Sequence, residues 1–215
     1  MPPESASRGA DRQRLHAGLQ ALGLVLGPDA VERLLDYAER LRKWNRGYNL
    51  VSASDLPVFV SRHLLDSLAI QPWIKPWRLL DVGSGAGLPG LPLAIADPHL
   101  QCTLVDSAGK KVRFLRHVKR QLALANVEPV QARIRDFQSE RAFDTITSRA
   151  VSSLADFAGD VRHLADADTR LLAMKGRRPD EELAALQDWV RVDAVERLRV
   201  PDLHGERHLV MMSLL

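Results

Sequence analysis

The spacing of hydrophobic positions changes character once along the chain. From Asp11 to about Pro76 apolar residues recur at helical intervals. Val31, Leu34, Leu35, Ala38 and Leu41 follow i, i+3, i+4, i+7, the stripe of one buried helix face. Pro28 suits the first turn of that helix, and Gly47 marks a position just past its end. A second helix is expected over Pro57 to Ile70, with Val60, Leu64, Leu65 and Leu68 turned inward. From Trp77 onward, short apolar runs alternate with amphipathic segments: RLLDVG, QCTLVD, VEPVQA, DTITSRA and RLLAMKG. Strands separated by helices read as βαβ units around a largely parallel sheet. The end of the chain differs again. WVRVDAVERLRV and RHLVMMSL read as two strands with no helix between them, so they should pair antiparallel. The expected fold class is α/β: a mostly parallel sheet with an antiparallel C-terminal strand, carrying an N-terminal helical extension. The expected division is a disordered tail over 1–10, a helical extension over 11–76 and a sheet domain over 77–215. Pro72 and Pro76 punctuate the last boundary.

Composition narrows this picture without redirecting it. The 215 residues are 46% hydrophobic and 27% charged, an ordinary globular balance. The single cysteine, Cys102, excludes an intrachain disulfide framework and a Cys-rich zinc site, and no metal is expected. No apolar run approaches a membrane-spanning length, and MPPESASRGADR lacks the apolar core of a signal peptide, so the cytoplasm is the expected address. Thirty basic against 27 acidic residues leave +3, too little for the bulk charge to identify a partner. What matters is where the basic residues sit.

The most informative segment is LLDVGSGAGLPG, Leu79 to Gly90: a strand, a glycine-rich turn, then a helix start. Gly83, Gly85 and Gly87 permit a tight turn and close approach of backbone to a ligand. A nicotinamide fingerprint needs its third glycine at position 88, which is Leu88. The G-x-G-x-G spacing suits S-adenosylmethionine (SAM), which has no pyrophosphate to cradle. Asp106 ends the second strand, 23 residues after Gly83, where a carboxylate can accept from ribose hydroxyls. Capping the following helix is the plainer alternative for Asp106. Asp81 is read as orienting the loop or the cofactor's amino group.

Seven blocks, YNLVSASD, RHLLDSL, DVGSGAGLPGLPLA, LVDSAGKKVRFL, SRAVSSL, MKG and GERHLV, occur in this order. Together they resemble the RsmG (GidB) family of bacterial 16S rRNA methyltransferases, from about residue 15 to the C-terminus. The resemblance implies a Rossmann-like SAM-dependent methyltransferase sheet. It also implies methylation of guanine N7 in the decoding-region loop of 16S rRNA. The family's cofactor contacts fall on Gly83, Leu88, the Ile134–Arg135 pair and Arg149. The second position of that pair is commonly acidic in the family. Here it is Arg135, followed by Asp136 as a candidate replacement.

Guanine N7 offers an exposed lone pair, so positioning suffices and no acid–base pair is demanded. Methylation of an exocyclic amine calls for an Asn/Asp-Pro-Pro-aromatic motif after the fourth strand, where this chain has SRAVSSL. Methylation at a pyrimidine C5 calls for a cysteine nucleophile, whereas Cys102 sits in an apolar strand.

Basic residues gather at the expected substrate edge: Arg149 and Lys175 as positioning groups, and Arg133, Lys175, Arg177 and Arg207 as RNA contacts. Arg178 and His208 stand beside them. The segment after Asp106 adds Lys110, Lys111, Arg113, Arg116, Lys119 and Arg120, either a solvated helix face or a phosphate-tracking surface. His63 and Asp66 are read as a structural hydrogen-bonded pair or as substrate contacts. Trp44 and Tyr48 either anchor a helix or stack on a base. His117 and His163 are read as surface residues. The expected partner is 16S rRNA or the 30S subunit, bound by a monomer. The rival readings are a small-molecule methyltransferase and a non-catalytic ribosome-associated RNA-binding protein.

Overall fold

A computed structural model of the chain describes residues 4–149 and 153–215. Residues 1–3 of the expected tail and residues 150–152 of SRAVSSL lie outside the described residues.

The first helix, α1, spans Glu4–Ala21, so residues 4–10 are helical rather than a disordered tail. The reason is tertiary. Arg8 pairs with Glu32, Asp36 and Glu39 of α2 (Pro28–Tyr48) at 2.7–2.8 Å. Arg12 also bonds Glu32, and Arg42 reaches back to Asp11 at 2.6 Å. Single surface pairs contribute little, but a network along one seam holds the start of α1 in place. α2 buries the expected stripe. It runs one residue beyond Gly47 and ends where Asn49 adopts a left-handed cap, φ 48°.

Between α2 and the sheet the expected single helix is three short turns. Ala53–Val58 is 3₁₀ with Pro57 inside it, Val60–Leu65 is a π turn, and α3 is Asp66–Leu68. Val60, Leu64, Leu65 and Leu68 are buried as expected. The wider π turn carries His63 and Asp66 inward as well, which a regular helix face would not.

Seven strands follow: β1 Arg78–Val82, β2 Gln101–Asp106, β3 Val127–Gln131, β4 Thr145–Ser148, β5 Arg170–Lys175, β6 Val190–Arg197 and β7 His208–Leu214. Their order is β3-β2-β1-β4-β5-β7-β6. β1 to β5 pair in parallel, and β7 runs antiparallel to both β5 and β6. Successive residues face opposite apolar layers. Leu79, Cys102, Leu104 and Leu172 pack with α1, α2, the 59–70 segment, α4 (Gly90–Ala96) and α5 (Gly109–Gln121). Leu80, Val105, Ile146 and Leu171 pack with α6 (Leu154–Val161) on the other face. The N-terminal helices thus share one continuous apolar cluster with the sheet.

The order in which strands are added reverses between β1 and β4, with β2–β3 to one side and β5–β7 to the other. Open α/β sheets bind ligands outside the carboxyl ends of the strands at such a switch point.

Candidate functional site

Two clefts open on the carboxyl edge of the sheet, one on each side of the switch point. The first, about 370 Å³, is lined by Val82, Gly83, Val105, Asp106, Ser107, Lys111, Ala132, Arg133 and Ile134. Gly83 has φ +66° and leaves open space where a side chain would stand, so a ligand can lie against its backbone. At Gly87, φ +97°, a Cβ would strike Leu91 at 2.3 Å, so packing as well as conformation demands glycine there. The turn is fastened by Gly83 and Ser84, whose amides donate to Val105 O at 2.8 and 3.1 Å.

Asp106 stands between the two roles read for it. Its Oδ1 accepts from Ala108 N at 2.8 Å, its Oδ2 accepts from Gly85 N at 2.9 Å, and Lys111 approaches Oδ2 at 3.4 Å. It therefore ties both neighbouring loops together while still lining the cleft. Asp81 lies fully buried beneath the turn, accepting from Gly90 N at 2.9 Å through Oδ2. Among the described residues its Oδ1 has no hydrogen-bond partner. Burial pushes its carboxyl up to about 7, against the pull of the Gly90 amide and the Arg149 charge. An open glycine backbone, a carboxylate on the cleft wall and an orphaned buried carboxylate oxygen under the loop fit a nucleoside ligand bearing a cationic group.

The second cleft, about 320 Å³, is lined by Asp55, Arg62, His63, Asp66, Arg149, Met174, Lys175, Gly176 and Arg207. Arg149 follows β4, whose last residue, Ser148, donates to Val82 O at 2.8 Å and so locks the ends of β1 and β4 together. The expected His63–Asp66 bond does not form; both residues turn to arginines instead. Arg149 Nη1 lies 2.8 Å from His63 Nδ1 and 3.6 Å from Asp66 Oδ2, while Arg207 Nε lies 3.2 Å from Asp66 Oδ1. An arginine only donates, so His63 Nδ1 accepts and Nε2 carries the hydrogen. That Nε2 faces Asp55 Oδ2 at 3.3 Å, outside good hydrogen-bond geometry. Burial, with the Arg149 charge, pulls His63 down to about 4, so it is neutral near pH 7. Lys175, nearly buried, is held by Glu182 of α7 (Asp180–Ala184) at 2.7 and 3.0 Å. Glu182 also accepts from Leu154 N at 2.8 Å.

The structure therefore brings Gly83, Asp106, Ile134 and Arg133 to one cleft and Arg149, Lys175 and Arg207 to the other. Arg133, read as an RNA contact, sits on the nucleoside side because the loop after β3 closes that cleft. Gly85 touches Asp106 through its amide. Leu88, expected beside the ligand, is buried in the apolar cluster and does not line the cleft. Arg135 is 73% exposed and pairs with Asp160 at 2.6 Å, directed toward α6. Asp136 is exposed and lines neither cleft. Arg177 is exposed outside both clefts, and Arg178 is tied to Asp180 at 2.8 Å. Contributors that escaped the sequence reading include Asp55, Arg62, Glu182 and Tyr37. Fully buried Tyr37 donates to Ala86 O at 2.8 Å and so braces the glycine turn from α2. Its place beside the Leu34–Ala38 stripe was the available signal.

The family model described as "GidB: rRNA small subunit methyltransferase G" matches residues 30–210. Ribosomal RNA small subunit methyltransferase G of Yersinia enterocolitica is 47% identical, covering 94% of this chain and 98% of that protein. The Pseudomonas aeruginosa protein of that name is 51% identical, covering 92% and 93%. Among solved structures, a SAM dependent methyltransferase from Aquifex aeolicus superposes with a TM-score of 0.57 at 18% identity, covering 83% of this chain and 98% of that one. That last likeness concerns the fold.

Proposed function

The chain belongs to the rRNA small subunit methyltransferase G family, and from that membership we propose that it methylates N7 of a guanine in the decoding-region loop of 16S rRNA, using SAM. The observation that carries this reading is the pair of clefts flanking the switch point. One is shaped for a nucleoside, and the other presents Arg62, Arg149, Lys175 and Arg207 to an anionic substrate.

The residues divide the work as follows. The Gly83–Gly87 turn takes the cofactor's backbone contacts, Asp106 the ribose hydroxyls, Ile134 the face of the adenine, and Asp81 steers the amino group from beneath the loop. When bound, SAM supplies a methyl group on a sulfonium. Arg149, braced by His63 and Asp66, orients the base and its phosphate in line with that methyl. The second cleft offers no free general base among the described residues. His63 Nδ1 accepts from Arg149, Asp66 faces two arginines, and Asp55 faces Arg62 and His63. Such a site suits guanine N7, whose lone pair attacks without loss of a proton. We place the reaction in the cytoplasm, on the 30S subunit or its 16S rRNA, with the chain acting as a monomer. The open, charged second cleft disfavours the small-molecule reading.

The test is methyl transfer from labelled SAM to naked 16S rRNA, 30S particles or a pool of small metabolites. Label in either RNA substrate supports the reading. Label confined to metabolites, or none, overturns it.

A further inference from the structure

α5 carries a run of charge of which only Lys111 lines one of the two clefts. Lys111 pairs with Asp106 and Lys119 with Glu128. Lys110, Arg113, Arg116 and Arg120 are exposed and, among the described residues, have no acidic partner within ion-pair distance. Like charges one helical turn apart oppose the helix that carries them, and an anionic partner relieves that cost.

The neighbouring helix extends the face. Arg40 of α2 reaches Gln121 at the end of α5, while Trp44, one turn later, packs against His117 and Phe114 at ring distances of 5.1 and 5.6 Å. The two helices therefore run antiparallel. A further turn along α2, Tyr48 stacks on Trp44 at 5.0 Å and 29°, with 38% of it exposed. Antiparallel packing sets this ring toward the first turns of α5, the end that begins beside Asp106 and the nucleoside cleft. The stacked pair thus anchors through Trp44 and presents an open ring through Tyr48.

We propose that the α2–α5 face is a second docking surface for the phosphate backbone of the RNA substrate, with Tyr48 as a stacking platform for an unpaired base at its cleft end. It rests on the reading of the chain as an RNA methyltransferase. The buried apolar stripe of α5 favours RNA over a lipid surface. A membrane-binding helix needs an apolar face to insert, and Val112, Leu115, Val118 and Leu122 are all turned into the core. Lys110 to Arg120 spans about 15 Å along the helix axis, enough to follow several phosphates of one strand.

The experiment uses the full chain with Arg113→Gln, Arg116→Gln and Arg120→Gln combined, positions that line neither the nucleoside cleft nor the Arg149 cleft. Steady-state methylation of 30S particles, SAM binding by calorimetry and filter binding of 16S rRNA are measured across salt, with circular dichroism to verify folding. The expected result is a KM for RNA raised about tenfold or more, kcat and SAM affinity unchanged, and a salt slope shallower by about two to three. Tyr48→Leu should raise KM without changing the slope, because stacking releases no counterions. An unchanged KM and slope in the triple variant overturns the docking surface while leaving the methyltransferase reading intact. Loss of RNA binding in the triple variant, with a wild type that binds but never methylates RNA, keeps the surface and overturns that reading. Wild-type binding to phosphatidylserine vesicles that the triple variant loses, with RNA KM unchanged, overturns the RNA assignment in favour of a membrane.

Discussion

Arg149 and His63, 86 residues apart, meet at 2.8 Å and join the N-terminal helical layer to the carboxyl edge of the sheet. The contact fixes the histidine tautomer and aims the guanidinium, whose same Nη1 lies 3.6 Å from Asp66 Oδ2. A lysine at position 149 keeps the charge but replaces the planar guanidinium with a flexible ammonium that no longer holds this geometry. Arg149→Lys should therefore lower kcat/KM for RNA about a hundredfold, since small misplacements of positioning groups have effects of that size. SAM affinity and the melting temperature should change little. Turnover within threefold of wild type would place the substrate guanine away from Arg149.

Asp106 accepts from two loop amides and borders the nucleoside cleft. Asp106→Asn keeps the shape of the side chain and removes the charge. SAM affinity measured by calorimetry should fall about tenfold, the loss of one charge-assisted hydrogen bond, while RNA binding holds. Unchanged SAM affinity would leave Asp106 with the loop-tying role alone.

Tyr37→Phe leaves the Ala86 carbonyl without its buried donor. Urea unfolding should show a loss of about 1–3 kcal/mol, accompanied by a severalfold weaker hold on SAM as the glycine turn loosens. A stability loss with unaltered SAM affinity would confine Tyr37 to fastening α2.

His63 carries a pH dependence of definite sign. Its folded value, about 4, lies below its ordinary 6.5, held there by burial and by Arg149 and Arg62 against the opposing pull of Asp55. Between those values the unfolded chain binds a proton that the folded chain does not, so the stability contribution is full above about pH 6.5 and is lost as pH falls toward 4. Thermal melts should show wild type losing stability relative to His63→Gln across that window. Parallel pH curves for the two proteins would contradict the neutral, arginine-bonded histidine.

Local pattern carried the strands. All seven were legible because each is a short apolar run bounded by turns, and the antiparallel end followed from the missing crossover helix. The glycine turn and Asp106 were legible for a similar reason: their relation depends on one strand–turn–helix unit. What escaped depends on distant partners. The helical start at residues 4–10 rests on Arg8 meeting acids of α2 at least 24 positions away. The His63–Asp66 spacing pointed to a bond within one helix, but a π turn and an arginine 86 residues later decide where both side chains go. Lys175 was legible as a basic group at the edge, and its restraint by Glu182 was not. Arg133 and Arg207 were read alike from their charges, yet loop closure after β3 and pairing with Asp66 put them in different clefts.

The most direct measurement of the central claim locates the transferred methyl. 30S particles are incubated with SAM and the protein, and the 16S rRNA is then reduced with borohydride and cleaved with aniline, which breaks the strand at N7-methylguanine. One new cleavage is expected, at a guanine in the decoding-region loop, present with wild type and nearly absent with Arg149→Lys. Methyl incorporation into 16S rRNA without aniline-sensitive cleavage, or cleavage that persists at full strength in the variant, would contradict it.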